Sequence, residues 1–359
     1  MKKTVLFLPK YSAKGPSSRY RIYSYLPYYE QADIDFQVKP LFDDWYLENV
    51  WGHYSKIKIL HKIIWAYFCR IFIILTVSTN TIVYIGADLL PFFPPIMEIY
   101  LSLRGVKYIV ELDDAIFHNY DQNRSSFVRM VLGKKFHTVL KKASVVICGC
   151  SYLADYAKKW NSDTYIIPTS IDARKYENAI LENRKETLVV GWIGSSYTSI
   201  SIKQVVTAIK KLQSSIDFEF HLIGFDKILE PILKGCNYKI IQWSEAKEVE
   251  YMSRFTIGIM PLEDTPFSRG KCAFKLVQYM AMGIPTVSTP LQSNIDIDKG
   301  CGNFFANNNE EWYDKMYTLL KNRDLRDSIG KNNKKVAMEY YTFQATNQKK
   351  IDIIKSLVK

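Results

Sequence analysis

Short apolar, β-branched runs alternate with longer helix-compatible stretches along almost the whole chain, and this alternation restricts the fold more than any other feature of the sequence. A continuously apolar run suits a strand buried on both faces, and helical stretches between such strands supply crossover connections, so the pattern reads as βαβ units around parallel sheets. One series predicts strands at residues 5–8, 81–85, 108–112 and 145–148. A second predicts strands at 188–193, 218–223, 239–241, 257–260 and 286–288. Residues 172–187, dense in Lys, Arg, Glu and Asn and without apolar periodicity, read as a linker between the series. A length of 359 residues is about that of two ordinary domains. The expected division is an N-terminal Rossmann-like domain over 1–171, the linker, a second Rossmann-like domain over 188–340, and a helix over 341–359 that packs back on the first domain.

Composition narrows the partners. Hydrophobic residues at 48% and charged residues at 23% place the chain among globular proteins. The net charge of +12 calls for something anionic: nucleic acid, a phosphorylated small molecule or an acidic membrane. No zinc-finger pattern, RNA-recognition signature or concentrated basic stripe supports nucleic acid. The six cysteines form no CxxC pair and the five histidines no ligand spacing, so neither a metal nor a cofactor is expected. Cys148-Gly149-Cys150 ends an apolar strand and reads as buried thiols, with redox activity as the alternative. The apolar run before Pro9 and Lys10 is too short for a signal peptide, which points to the cytoplasm. Residues 57–75 are the most lipid-like stretch, but Lys58, His61, Lys62 and Arg70 oppose a spanning helix. It reads either as a core helix or as one lying in a bilayer interface, peripheral at the inner face of the cell membrane.

The strongest chemical signal lies after the strand at 257–260. Arg269-Gly270-Lys271 puts two cations and a flexible backbone just before a helix, where free amides and the macrodipole favour a diphosphate. One turn on, Lys275 and Gln278 share a helix face, so Lys275 can add charge while Gln278 offers a donor and an acceptor to ribose hydroxyls. Gly283-Ile284-Pro285 then leads into the next strand. Gly194 and Ser195 form another turn between strand and helix whose amides could face a phosphate.

From Arg269 to Val287, supported by Gly191-Trp192-Ile193-Gly194-Ser195, the chain resembles the retaining GT-B family known as glycosyl transferases group 1. The resemblance implies an α/β fold with two Rossmann-like doubly wound domains facing across a cleft, and a donor site formed by Gly194, Ser195, Arg269, Gly270, Lys271, Lys275 and Gln278. It implies transfer of a sugar from a nucleoside diphosphate sugar of the UDP or GDP type to a hydroxyl of a glycan or lipid-linked acceptor. Retention and a role in surface polysaccharide assembly, such as lipopolysaccharide or capsule, are further implied. Two departures stand out. The helix motif usually carries two glutamates where this chain has Gly270 and Gln278, and the Arg and Lys that often bind donor phosphates correspond to Trp192 and Tyr197.

The N-terminal half offers acceptor-side candidates. Gly15, Ser18 and Arg19 follow the first strand and, by resemblance, form an acceptor or phosphate loop, with Arg21 as a further anion contact; ordinary exposed arginines fit equally well. Asp113 and Asp114 follow the strand at 108–112, and Asp114 or His118 could orient an acceptor hydroxyl or accept its proton, although capping of the next helix explains the aspartates as well. Three alternatives remain: a metal-dependent transferase using Asp113 and Asp114, a nucleotide-binding protein, and a non-catalytic GT-B relative.

Overall fold

The computed structural model describes residues 4–50, 55–177 and 187–358. The chain divides into two compact units. The first comprises Met1–Thr169, Gly270–Cys272 and Thr346–Lys359; the second comprises Ser170–Arg269 and Ala273–Ala345.

The first unit holds a parallel sheet in the order β2-β1-β3-β4-β5-β6, formed by β1 (Thr4–Leu8), β2 (Phe36–Val38), β3 (Thr81–Gly86), β4 (Tyr108–Leu112), β5 (Val145–Cys148) and β6 (Thr164–Ile166). Its central strands are buried apart from their end residues, with Ile82, Val83, Tyr84 and Ile85 all inaccessible to solvent, which is why they stand out as apolar runs. The edge strands β2 and β6 are three residues long and partly exposed, too short for that signal.

The second unit repeats the plan with β7 (Val189–Ile193), β8 (Glu219–Ile223), β9 (Tyr238–Ile241), β10 (Ile257–Met260), β11 (Thr286–Ser288) and β12 (Phe304–Phe305), in the order β12-β11-β10-β7-β8-β9. Strand order reverses between β7 and β10. Open parallel sheets bind ligands beyond the carboxyl ends of their strands at such a switch point, so the segments after β7 and β10 are where a site is expected.

The helix Phe274–Ala281 follows β10 and is buried from Leu276 onward. Gly283, at φ +67°, ends it: Gly283 N–H bonds to Met280 O at 2.8 Å and Ile284 N–H to Tyr279 O at 2.9 Å. Tyr279 anchors the helix to the sheet. Its hydroxyl accepts the Ile193 amide proton at 3.0 Å, and its ring fills the space a Cβ on Gly258 would enter, 2.6 Å away.

Of the segment read as a linker, Ala173–Glu177 is helical, with Tyr176 buried in the second unit; residues 178–186 lie outside the described residues.

The helix Phe343–Val358 contributes Lys350 to a buried charge cluster in the first unit. Glu111 receives Arg21 Nη2 at 2.5 Å, Lys350 Nζ at 2.8 Å and the Tyr84 hydroxyl at 2.6 Å. Arg21 is therefore a core residue, 3% exposed, and not the anion contact expected from its place in the sequence. Burial works against the Glu111 charge, yet Arg21 and Lys350 together hold its carboxyl below the ordinary range. Neutralising it would leave two cations buried without compensation. Glu111→Gln is expected to cost roughly 3–5 kcal/mol of stability, measured by denaturant unfolding; a change within error would show that the cluster is solvated.

Candidate active site

At the carboxyl end of β7, Gly194 donates its N–H to Ile223 O at 2.9 Å, and a Cβ there would lie 2.3 Å from the Trp192 ring. Ser195 caps the 3-10 helix Ser196–Gln204 in a reciprocal pair with Thr198, whose Oγ1 accepts the Ser195 N–H at 3.2 Å. Lys275, in the first turn of the Phe274–Ala281 helix, sets its Nζ 3.3 Å from Thr198 Oγ1 and 4.7 Å from the Trp192 ring centroid. The Trp192 ring thus offers its face to the Lys275 ammonium. The result is an ammonium beside a Gly/Ser turn at the switch point of the sheet. Gly224, at φ +75°, would carry a Cβ 2.2 Å from Gly194 O, which makes it a packing glycine beneath this turn.

Gln278 is 4% exposed, and its amide nitrogen is directed inward, 3.2 Å from the Tyr176 hydroxyl and 3.4 Å from Glu248 Oε1. Glu248 also accepts from Lys175 Nζ at 2.7 Å and from the Trp243 indole N–H at 3.0 Å. A buried carboxylate therefore ties Gln278 to Trp243, which keeps 39% exposure beyond β9. Glu248 was not legible from sequence, because it sits in a short helix rich in charged residues whose burial depends on tertiary packing.

The cations around Gly270 go separate ways. Arg269 forms two bonds to Asp264, at 2.7 and 3.1 Å, on an exposed surface. Gly270–Cys272 belongs to the first unit, where Lys271 Nζ lies 3.0 Å from Asp114 Oδ1 and Cys272 Sγ donates to Asp113 O at 2.9 Å. Gly149 makes room for that thiol, since a Cβ there would come within 2.2 Å of the sulfur. Gly270 packs so closely that a Cβ would lie 2.5 Å from Ala115 Cβ and 2.8 Å from Ala115 N. A side chain at this position has no space in this packing.

Asp114, at the carboxyl end of β4, is pushed up to about 6 by burial, with Lys271 opposing and Asp113 reinforcing the shift. Burial opposes the Lys271 charge in turn, but the Asp114 carboxylate outweighs it and leaves the ammonium pKa raised. Asp113 accepts a hydrogen bond from the Ser17 hydroxyl. His118 has both ring nitrogens engaged, with Asp121 Oδ1 at 2.8 Å and the Tyr152 hydroxyl at 2.9 Å, so its contacts are those of a structural histidine. In the loop after β1, Ser18 is buried and accepts the Tyr11 N–H at 3.1 Å, Gly15 permits close approach to Tyr11, and the Arg19 guanidinium lies 5.1 Å from the Tyr20 ring centroid. The contacts of Gly15 and Ser18 shape the loop. Among the described residues, no group of three or more His, Cys, Asp or Glu is placed to hold a metal ion.

A family model described as glycosyl transferases group 1 matches residues 187–322, the stretch that contains Gly194, Thr198, Lys275 and Gln278. Over that stretch the chain is similar to the group 1 glycosyltransferases. A Bacillus subtilis (strain 168) protein named for teichuronic acid biosynthesis, the glycosyltransferase TuaH, is 26% identical over 226 residues, which are 54% of this chain and 56% of that one. The match thus spans little more than half of that relative. Among solved structures, Anabaena HepE in complex with UDP superposes with a TM-score of 0.70 at 16% identity, covering 98% of this chain and 100% of that one. A glycosyltransferase from Rickettsia africae gives 0.71 at 14%, covering both chains fully. These likenesses establish the GT-B fold.

The Gly270 geometry yields a direct test. Gly270→Ala is expected to destabilise the protein by about 1–3 kcal/mol through overpacking against Ala115; an unchanged unfolding midpoint would show that the loop can move aside.

Proposed function

We propose that this chain is an enzyme that transfers a glycosyl group from a nucleoside diphosphate sugar to a hydroxyl, without a metal ion. The carrying observation is Lys275, held by Trp192 and Thr198 beside the Gly194–Ser195 turn at the β7/β10 switch point. Transfer breaks the bond between the anomeric carbon and the diphosphate oxygen and leaves negative charge on the leaving group. A fixed ammonium and backbone amides aimed at that charge stabilise the transition state more than the ground state. Arg269 is a further cation of the same unit, five residues before the Phe274–Ala281 helix begins. Trp243, exposed beyond β9, offers a face for the base, and Gln278 stands where the family places its ribose-binding glutamate.

On the acceptor side, Asp114 is the residue suited to take the hydroxyl proton, since a carboxyl poised near 6 is ionised at neutral pH and still basic enough to accept it. Both nitrogens of His118 are committed elsewhere, which leaves it a positioning role. Retention follows from the family resemblance. A UDP-type donor is favoured by the HepE complex with UDP, and surface-polysaccharide assembly by the naming of TuaH for teichuronic acid biosynthesis. The proposed location is the cytoplasm, peripheral to the cell membrane, with a glycan or lipid-linked acceptor. A second reading, a GT-B protein that binds donor without turnover, is favoured by the lack of room for a side chain at Gly270.

Calorimetric titration with UDP, GDP and ADP in EDTA tests the donor site. One nucleotide should bind, and Lys275→Met should weaken it by about 10- to 100-fold, the effect of one charge-assisted contact. No binding by any nucleotide would refute the donor site, and binding without transfer to any acceptor would establish the second reading. In an active preparation the rate should rise with pH through about 6 as Asp114 ionises. Lys271→Met removes the charge that favours the carboxylate, so the rising limb should move to higher pH; a limb that stays in place would exclude Asp114 as its source.

A further inference from the structure

The helix Lys56–Thr76 presents its apolar residues to the wrong side for a soluble protein. Leu60, Ile64, Trp65, Phe68, Phe72 and Leu75 are between 45% and 63% exposed. Spacings of three and four residues line five of them along one stripe, with Trp65 beside it. The opposite face carries Arg70 and Ile74, both buried. Arg70 Nη2 donates to Lys39 O at 2.9 Å and Pro9 O at 3.2 Å, tying the helix to the carboxyl ends of β1 and β2. The one cation in the apolar two-thirds of the helix is thus turned into the protein. Although the helix is long and apolar enough to cross a membrane, spanning one would strip Arg70 of its carbonyl acceptors. It can lie in an interface without losing them.

The stripe continues onto neighbouring elements. Tyr67 donates its hydroxyl to Pro91 O at 2.6 Å, and the next residue, Phe92, is held at φ +55° with 60% exposure. Phe92 N–H bonds to the Tyr120 hydroxyl at 3.1 Å, and their rings lie 5.4 Å apart. The helix Ser126–Leu132, which contacts the short helix of Tyr120, exposes Phe127 at 66% and Met130 at 77%. Phe92 follows β3, and both helices after Asp114 follow β4, so this apolar rim borders the carboxyl end of the sheet.

Charge identifies what covers it. Residues 56–76 contain three lysines and Arg70 but no acidic residue, and residues 122–142 contain six basic residues and no acidic one. Lys62 is paired with Asp43 on the adjoining helix. A second copy of this surface would bring cations against cations, whereas an anionic bilayer supplies complementary headgroups above an apolar interior.

We infer that the Lys56–Thr76 helix, Phe92 and the Ser126–Leu132 helix form one docking surface by which the first unit lies on an anionic bilayer, so that the acceptor is a membrane-anchored amphiphile presented to the loops after β3 and β4. The docking surface stands without the glycosyltransferase reading; the acceptor class rests on it.

Flotation of the full chain with phosphatidylcholine vesicles, with and without phosphatidylglycerol, tests the surface. The protein should float with the anionic vesicles and be released by salt. Trp65→Ser/Phe68→Ser/Phe72→Ser should lower partitioning by at least about tenfold, and Phe127→Ser/Met130→Ser should lower it as well. Because these side chains are exposed, unfolding midpoints and nucleotide affinity should match the parent protein. Loss of nucleotide binding with flotation intact would count against the donor reading alone. Failure to float, equal and salt-insensitive binding to pure phosphatidylcholine, or a dimer by light scattering that the triple variant dissociates would each overturn the inference.

Discussion

The contact between Tyr279 and the end of β7 sets the geometry on which the candidate donor site depends. Its hydroxyl takes the Ile193 amide proton at 3.0 Å while its ring occupies the notch left by Gly258, so the Phe274–Ala281 helix is registered against β7 and β10 together. Lys275 lies one turn earlier, and that register brings its ammonium to Thr198 and the Trp192 face. Gly224 completes the arrangement by letting its backbone approach Gly194 O. A chain with the same cations but a different helix register would have a basic surface and no site.

Charge is used differently around two carboxylates of the first unit. Around Glu111, two cations and a tyrosine hydroxyl saturate one carboxylate, which suits a fixed structural joint between the β4 strand and the C-terminal helix. Around Asp114, one lysine meets a partly buried carboxyl that burial pushes up to about 6, which leaves a proton able to move near physiological pH. The contrast lies in the number of partners and not in depth alone.

Much of the fold was legible because strands of a parallel sheet bury both faces and so read as largely apolar runs, although β4 carries Glu111 and β8 carries Glu219 and His221 within theirs. The strands β2, β6 and β12 do not stand out in this way, since two or three residues at a sheet edge carry too little pattern. The donor motif was legible from Arg269-Gly270-Lys271 and the helix after it, but the partners of its cations were not: Asp264 and Asp114 lie five and 157 residues away in sequence, and only packing selects them. Arg21 looked like its neighbour Arg19 until its burial beside Glu111 separated them. The helix at 56–76 showed apolar residues and cations together, while the side on which the apolar residues lie depends on where Arg70 finds its acceptors.

Hydrogen exchange with and without saturating UDP or GDP tests the central claim, that the second unit holds a nucleotide at the β7/β10 switch point. Amides of residues 194–199 and 273–276 should exchange more slowly when nucleotide is present, because the turn after β7 and the start of the Phe274–Ala281 helix would close around the diphosphate. Protection confined to the first unit, or none with either nucleotide, would contradict the claim and leave Lys275 a structural lysine.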